Sequence, residues 1–335
     1  MQVRTLKADS SKLKGRHKLA GAALFAGALM LCTAPMATAA PHGSNDDIQS
    51  IKIPSQKADT AIDYWTADRM KAAKSADSLV KGKSGSAAKV DTGNAAKVPG
   101  HAAKANAGSL KSTTGGKTRA NQETPVSHIG KVFFTLGGVD YVCSGNAVVS
   151  SNESTVSTAG HCLNEGPGAF ATRWVFAPAY ENGKTPYGTF AATELVTTSQ
   201  WSGSGDITYD TGFAVVSNSS GVTLTDTVGA SGVAFNQPRG MAYKAYGYPA
   251  ASPFNGETLQ SCSDTATDDP FGQTQSQGIS CTMTGGSSGG PWFLGSGSSG
   301  YQNSVNSFGY NTVRNTMFGP YWGSVIQQAY QNAQS

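Results

Sequence analysis

Short apolar runs recur at regular intervals along the chain from about residue 122 onward, and Gly, Ser, Asn and Pro separate them. Examples are KVFFT at 131–135, RWVF at 173–176 and FAVV at 213–216. Runs of this length, rich in β-branched and aromatic residues, predict strands. Because turn residues rather than helical patterns separate the runs, the sequence predicts a sandwich or a barrel. Only the tail near 321–333 has apolar residues at helical spacing, which predicts a C-terminal helix.

Residues 1–39 have the pattern of a secretory signal peptide. A basic leader precedes an apolar run from Leu19 to Met30, and ATA at 37–39 offers a cleavage site. The apolar run is shorter than the roughly 20 residues that a bilayer-spanning helix needs. We therefore expect a secreted, extracellular protein with no stable membrane association.

Residues 40–120 are rich in Ala, Lys, Ser and Gly and contain few aromatic residues. This composition predicts a largely disordered segment. Because it lies between a signal peptide and a β-rich region, we interpret it as a propeptide rather than a simple linker. The predicted organisation is a signal peptide at 1–39, a propeptide at 40–120 and a folded domain at 121–335.

The net charge of +4 conceals two segments of opposite sign. Residues 41–120 carry thirteen basic and seven acidic groups, a net charge of +6, whereas residues 121–335 carry six basic and thirteen acidic groups, a net charge of −7. The folded domain is therefore not a basic nucleic-acid binder. The opposite charges suggest that residues 41–120 dock on the domain partly by electrostatics, which salt would weaken.

Four cysteines remain once the predicted signal peptide is removed: Cys143, Cys162, Cys262 and Cys281. An even number in an exported protein predicts disulfides, and four cysteines allow three pairings. The sequence has no CxxC pair or His/Cys cluster at zinc-ligand spacing, so we expect no structural metal.

Two strings carry residues typical of nucleophilic catalysis. STAGHC at 157–162 contains His161, and TGGSSGGPW at 284–292 contains Ser288. The second string has the composition of a flexible linker, but an apolar run begins at once at Pro291. Gly286 can turn its N–H inward beside that of Ser288, so that two donors face one developing oxyanion.

Together, the two strings resemble the motifs of chymotrypsin-like serine peptidases, in particular the secreted bacterial type, which have TAAHC or TAGHC around the base and GDSGGP around the nucleophile. The resemblance covers roughly residues 126–330. It implies an all-β fold of two antiparallel six-stranded β-barrels with a C-terminal helix. It also implies that His161 is the general base, that Ser288 is the nucleophile, and that Gly286 and Ser288 form the oxyanion hole.

The third member of the triad lies between the two strings in this family. YDTGFAVV at 209–216 resembles the family pattern of an aspartate before an apolar strand, which favours Asp210. Asp206, in a Gly/Ser-rich stretch four residues earlier, is the alternative. An aspartate at a strand entrance can be shielded from water while it accepts the imidazole N–H.

The resemblance implies further features. It pairs Cys143 with Cys162 and Cys262 with Cys281. It assigns the substrate-binding edge to residues 307–309, namely Ser307, Phe308 and Gly309, and Ser307 could also hydrogen-bond Asp210. Ser287 stands where the animal enzymes have an aspartate that pairs with the newly cut N-terminus, so we expect activation by removal of a covering propeptide instead.

The sequence therefore predicts a secreted serine endopeptidase that forms an acyl-enzyme intermediate and needs no cofactor. Its expected partners are polypeptide substrates and its own propeptide, residues 41–120, as an inhibitor or folding aid; we expect a monomer. The alternative is a non-catalytic peptidase-like binding module. A lipase is excluded because no histidine follows Ser288. No acid precedes Ser288 to bind Lys or Arg side chains, and neither Asn306 nor Ser307 is a histidine that could bind glutamate.

Overall fold

The computed structural model describes residues 47–104, 120–218 and 220–335. The predicted signal peptide lies outside these residues, as do 40–46 and 105–119 of the predicted propeptide. None of the helices in the described ranges is both long enough and apolar enough to cross a membrane.

Strands make up most of the regular structure. In chain order they are β1 Ile48–Lys52, β2 Lys74–Ser75, β3 Ala96–Val98, β4 Asn121–Gln122, β5 Ile129–Leu136, β6 Val139–Val148, β7 Thr155–Thr158, β8 Thr172–Pro178, β9 Phe190–Thr198, β10 Gly212–Ser217, β11 Gly232–Phe235, β12 Ala242–Gly247, β13 Gln260–Thr265, β14 Thr267–Asp268, β15 Gln277–Ser280, β16 Pro291–Leu294, β17 Tyr301–Val305 and β18 Thr316–Gly319. The α-helices are α1 Ser55–Tyr64, α2 Ala67–Ala72, α3 Ser199–Ser204, α4 Leu224–Val228 and α5 Ser324–Ala333.

Strands β5 to β10 form a closed barrel with strictly antiparallel pairing. The order is β9-β10-β7-β6-β5-β8, and pairing of β8 with β9 closes it. Side chains alternate across β5: Val132 and Phe134 belong to the barrel core, and Ile129 and Phe133 belong to a second cluster outside it. All eight residues of β5 are buried because other elements cover its outer face as well.

The second half of the chain forms two sheets. One has the order β3-β11-β17-β16-β12-β13-β4, and the other has the order β14-β15-β18. The described strands of these two sheets pair in antiparallel fashion, except that β11 pairs in parallel with β17. Trp292 of β16 is buried with Met283 and the Cys262–Cys281 disulfide in the core of this half.

Helix α5 closes the chain against the first barrel. Its buried residues, at the 3–4-residue spacing of one helix face, are Val325, Ile326, Ala329, Tyr330 and Ala333. The hydroxyl of Tyr330 donates to Val149 O at 2.6 Å, so even its polar atom is satisfied in the core. The predicted all-β fold with a C-terminal helix is confirmed.

Residues 47–104 differ from the disorder expected of most of this segment. Strand β1 pairs with β9, β2 pairs in parallel with β6, and β3 pairs with β11. Helix α1 directs Ala58 and Ala61 at the outer face of the first barrel, and Trp65 joins them there. The segment has too few apolar residues to form a hydrophobic core by itself. Its few apolar residues instead pack on the outer face of the barrel, and the two together form one core.

Candidate active site

His161 lies in a 3₁₀ turn, Gly160–Cys162, directly after β7, and its side chain is fully buried. A Cβ at Gly160 would lie 2.9 Å from the Trp201 ring, so the turn can form here only around a glycine. The backbone N–H of His161 donates to Asp210 Oδ1 at 2.7 Å, and its Nδ1 lies 2.7 Å from Asp210 Oδ2. Both the main chain and the ring of His161 are therefore held by one carboxylate.

Asp210 is fully buried between the 3₁₀ turn Ile207–Tyr209 and β10. In addition to the two contacts with His161, its Oδ2 accepts a hydrogen bond from Ser307 Oγ at 2.6 Å. A buried carboxylate needs such a set of donors because it has lost its water. Asp206 has a different role: its Oδ1 accepts from Thr208 N and from Ser86 N, both at 2.9 Å. Of the two aspartates, the one that contacts His161 is Asp210.

The orientation of the His161 ring determines which nitrogen can act on a substrate. Because Nδ1 faces a carboxylate, it carries the proton and Nε2 has the free lone pair. Nε2 is buried and has no hydrogen-bond partner among the described residues. It is therefore available to accept a proton.

Ser288 lies in the loop between Cys281 and β16 and is 5% exposed. Its carbonyl accepts from Ser144 N at 2.7 Å and lies 3.8 Å from Cys162 Sγ, so the serine is next to the loop of His161. In the described part of the chain, no hydrogen bond joins Ser288 Oγ to His161 Nε2. Catalytic contacts of this kind often tighten only when substrate is bound.

Gly286 has a φ of +94°, a conformation that favours glycine, and Ala250 and the Tyr248 carbonyl leave no room for a side chain there. Its carbonyl accepts from Ser144 Oγ at 2.9 Å. Within the described ranges, the N–H groups of Gly286 and Ser288 have no hydrogen-bond partner. These two donors remain free for an oxyanion.

Sequence reasoning missed Ser144 as a positioning residue. Its N–H holds the carbonyl of Ser288, and its hydroxyl holds that of Gly286. The hydroxyl also accepts from Tyr248 N at 2.9 Å, which connects the loop to the end of β12. The only sequence signal was its position in CSG at 143–145, beside a cysteine.

Both disulfides of the implied pairing are present. Cys143–Cys162 joins β6 to the turn that carries His161, and Cys262–Cys281 joins β13 to the segment that leads to Ser288. Each bridge spans a sequence separation of 19 residues, and loops of about this size stabilise by about 3 kcal/mol in the chain-entropy model. The described residues contain one cluster of three potential metal ligands, Cys143, His161 and Cys162. Its sulfurs are in a disulfide, so they cannot supply the thiolates that zinc binds.

A cavity of about 850 Å³ opens beside Ser288. Ser307, Phe308 and Gly309 line one side, and the residues before Ser288, among them Thr282 and Met283, line another. The N–H groups of Ser307 and Phe308 donate to Phe318 O, and the rings of Phe308 and Phe318 stack at 5.2 Å. The segment 307–309 is therefore a rigid wall.

Comparison with known proteins agrees with this arrangement. Residues 113–323 match the sequence profile of the Trypsin family. The crystal structure of the protease Anisep from Arthrobacter nicotinovorans is 62% identical with a TM-score of 0.63, and the match covers 64% of this chain and 99% of that one. The thermostable serine protease AL20 from an extremophilic microorganism is 57% identical with a TM-score of 0.60, and the match covers 62% of this chain and 97% of that one.

A curated relative, the extracellular metalloprotease of Bacillus subtilis (strain 168), is 31% identical over 114 residues. That match covers 34% of this chain and 35% of the relative, so this chain corresponds to about a third of its length. The matches to solved structures confirm the expected chymotrypsin-type fold. Because the family profile extends over well over half of the residues and includes both motif strings, the chain belongs to the trypsin family of serine endopeptidases.

Proposed function

We propose that the protein is a secreted serine endopeptidase with Ser288 as nucleophile, His161 as general base and Asp210 as the residue that orients the base. The observation that carries this proposal is the buried pair of Asp210 and His161, with Nε2 unpaired beside the Ser288 loop. Nε2 takes the Ser288 proton as Oγ attacks a peptide carbonyl, and Asp210 stabilises the imidazolium that results. Water then hydrolyses the acyl-enzyme.

The surrounding groups support the rest of this reaction. The free N–H groups of Gly286 and Ser288 are suited to hold the oxyanion. Loss of one of two such donors lowers the rate by a factor on the order of 10²–10³. Residues 307–309 form an edge on which an extended polypeptide can add as a strand, with its side chains in the neighbouring cavity. The chemistry at these groups is proton transfer and covalent catalysis by the chain's own side chains.

Labelling with a fluorophosphonate probe tests the assignment. The mature enzyme should incorporate one probe, and Ser288→Ala should abolish both labelling and hydrolysis of a denatured protein substrate. Ser204→Ala is a matched control, because this exposed hydroxyl bonds only Gln200 O of its own helix. Absence of labelling in the wild type would instead support a non-catalytic binding module.

We also infer that the N-terminal segment covers the active site until it is removed. Strand β2 lies beside β6, and the next residue, Ala76, is fully buried against the barrel core. The carboxylate of Asp77 and the hydroxyl of Ser75 lie directly against Gly285, three residues before Ser288. The 3₁₀ turn Ala76–Leu79 contacts the turn of His161.

The segment then continues along the substrate wall. Val80 packs against the cluster that contains Trp201 and Phe308, and Lys83 Nζ donates to Glu165 O at 2.9 Å. Further on, Ser84 O accepts from Ile207 N at 3.1 Å. A polypeptide substrate would need the space that residues 75–83 fill.

The inhibitory role has a direct test. The uncleaved chain should react with the fluorophosphonate probe at least a hundredfold more slowly than the mature enzyme. Equal rates would contradict the covering role while leaving the catalytic assignment intact. The mature enzyme should be recovered from the culture medium without residues 1–39, and its retention in the cell would contradict secretion.

A further inference from the structure

Asn306 directly precedes the substrate wall 307–309, but its fully buried side chain is engaged elsewhere. Its Nδ2 donates to Ser287 O at 2.9 Å and to Tyr246 O at 2.8 Å, and its Oδ1 accepts from Trp292 Nε1 at 2.7 Å. Two carbonyl acceptors and one indole donor determine which amide atom is nitrogen and which is oxygen. The three hydrogen bonds therefore fix this side chain in a single orientation.

Two glycines enclose the amide. A Cβ at Gly290 would lie 2.8 Å from Asn306 Nδ2, and one at Gly247 would lie 3.1 Å from it. The main chain of Asn306 also bonds the nucleophile loop, because its N–H donates to Gly290 O and its carbonyl accepts from Gly289 N, both at 2.8 Å. Asn306 is thus joined to the loop of Ser288 by its main chain and, separately, by its side chain.

The carbonyl of Ser287 belongs to the peptide unit that contains the N–H of Ser288. A peptide unit is planar and trans, so its C=O and N–H point in opposite directions. A group that holds the carbonyl of Ser287 therefore also aims the N–H of Ser288. This carbonyl accepts from Gly290 N at 3.0 Å as well, but that bond lies within the loop. Among the described residues, Asn306 is the donor from outside the loop, and it ties the peptide unit to β12 through Tyr246 O.

The other oxyanion donor is aimed by different groups. The N–H of Gly286 shares a peptide unit with the carbonyl of Gly285, which accepts from Ala250 N at 2.5 Å and from Ala251 N at 3.2 Å. These donors are main-chain groups, which most substitutions leave in place. The peptide unit of Ser288 differs because a side chain holds it. A single substitution can therefore remove this support.

We propose that Asn306 is a positioning residue for the oxyanion hole, which holds the carbonyl of Ser287 so that the N–H of Ser288 faces the developing oxyanion. The inference rests on the proposed peptidase function and extends it to a residue that acts on the reaction through its neighbours. Donors that are aimed before the substrate binds stabilise the transition state without reorganisation. Loss of the Nδ2 bond leaves the Ser288 N–H present but less well aimed. The rate should then fall by at least about tenfold, up to the factor on the order of 10²–10³ that loss of a whole donor costs.

The test compares two buried asparagines in the mature, secreted enzyme. Asn306→Leu removes the amide at similar volume, and Asn306→Ser is a second, smaller variant. Asn303→Leu is the matched control, because Asn303 lies on β17, is also buried, and donates to Ala234 O at 2.6 Å rather than to the nucleophile loop. Urea unfolding measures the stability of each variant. End-point labelling with the fluorophosphonate probe counts the competent active sites.

Per labelled site, both Asn306 variants should lower kcat for a peptide substrate by at least about tenfold, with KM changed by less than about twofold. The affinity for a peptide aldehyde, whose adduct with Ser288 places an oxyanion in the hole, should fall in parallel. The infrared carbonyl band of the acyl-enzyme should move to higher wavenumber, because a less well aimed donor polarises the carbonyl less. Asn303→Leu should leave all three readouts unchanged, even where it lowers the free energy of unfolding equally.

An unchanged kcat, a rise in KM at constant kcat, or equal losses in Asn303→Leu would overturn the inference. Failure of both Asn306 variants to fold would also overturn it, because the residue would then be needed for the fold itself. Absence of labelling in the wild type would be a failure of the proposed function instead. A labelled wild type with fully active Asn306 variants would still be a serine endopeptidase, whose oxyanion hole is aimed by main-chain groups alone.

Discussion

Replacing Trp65 with Ala tests how the N-terminal segment is held on the peptidase domain. The Trp65 side chain is 5% exposed; its ring lies 5.4 Å from that of Phe133, and its Nε1–H donates to Arg173 O at 2.5 Å. Truncating a buried Trp to Ala costs about 3–5 kcal/mol. Since about 1.4 kcal/mol corresponds to a factor of ten, even the lower value raises the uncovered fraction by about a hundredfold.

Ion pairs across the same boundary contribute much less. Arg69 bonds Asp140 at 3.3 Å and Lys104 bonds Asp226 at 2.8 Å, and both cations are largely exposed. Exposed pairs of this kind contribute little to stability, and salt screens them. Electrostatic docking, which the opposite charges of the two segments suggest, is therefore a minor part of the attachment, and apolar burial dominates.

The assay is the rate of fluorophosphonate labelling of the uncleaved chain, which is proportional to the uncovered fraction when opening is rapid. Trp65→Ala should increase this rate by about a hundredfold, whereas 1 M salt should increase it by less than about tenfold. Ile51→Ala is the control, because Ile51 lies on β1 of the same segment but is 43% exposed. If Trp65→Ala labels no faster than Ile51→Ala, the apolar account of docking is refuted.

Two further predictions concern the mature enzyme, and a third concerns the uncleaved chain. Ser307→Ala removes the 2.6 Å bond to Asp210, so kcat should fall by about tenfold with little change in KM, and Ser307→Thr should restore it. Asp210→Ala should lower kcat by a factor on the order of 10³–10⁴, whereas Asp206→Ala should lower kcat less than about threefold. Steady-state kinetics on one peptide substrate measures both variants. Equal losses of kcat would contradict the assignment of Asp210 as the residue that orients His161. Burial lowers the pKa of Lys131 to about 8 from its ordinary 10.5, so the folded state binds fewer protons than the unfolded state between these values. The free energy of unfolding should therefore rise from pH 8 to 10, by at most about 1.4 kcal/mol per pH unit. Urea unfolding of the Ser288→Ala protein at several pH values measures this free energy. Lys131→Met in the same background should abolish the rise.

Part of the candidate site is encoded in local motifs. His161 and Ser288 are each set by a tight loop of small residues, and such loops leave a contiguous signature in the sequence: Gly160 must be small because of Trp201, and Gly286 must adopt a positive φ. The strands were equally readable because their periodicity is local. These loops and strands can be predicted without knowing which residues from distant parts of the chain contact them.

Features that depend on tertiary contact were harder to predict. Asp206 and Asp210 are four residues apart, and only their partners, Ser86 for one and His161 for the other, distinguish them. The role of Ser144 likewise depends on the loop of Gly286, which is remote in sequence. Choosing among such residues requires the packing of segments that the sequence alone does not bring together.

Docking of the N-terminal segment also depends on tertiary contact. Here the sequence evidence lies in the peptidase domain rather than in the segment. In IGKVFFTL, the sequence of β5, the outward-facing positions include the apolar residues Ile129 and Phe133, whereas a barrel strand with one face in water is polar on that face. Both faces of β5 must therefore be covered, and Phe133 is buried beneath Trp65. Without the segment, Phe133 would lose the cover of Trp65 while the barrel forms. We infer from this that the segment assists folding as well as covering the site, and that Phe133 on the outer face of β5 is the sequence feature that specifies where it docks.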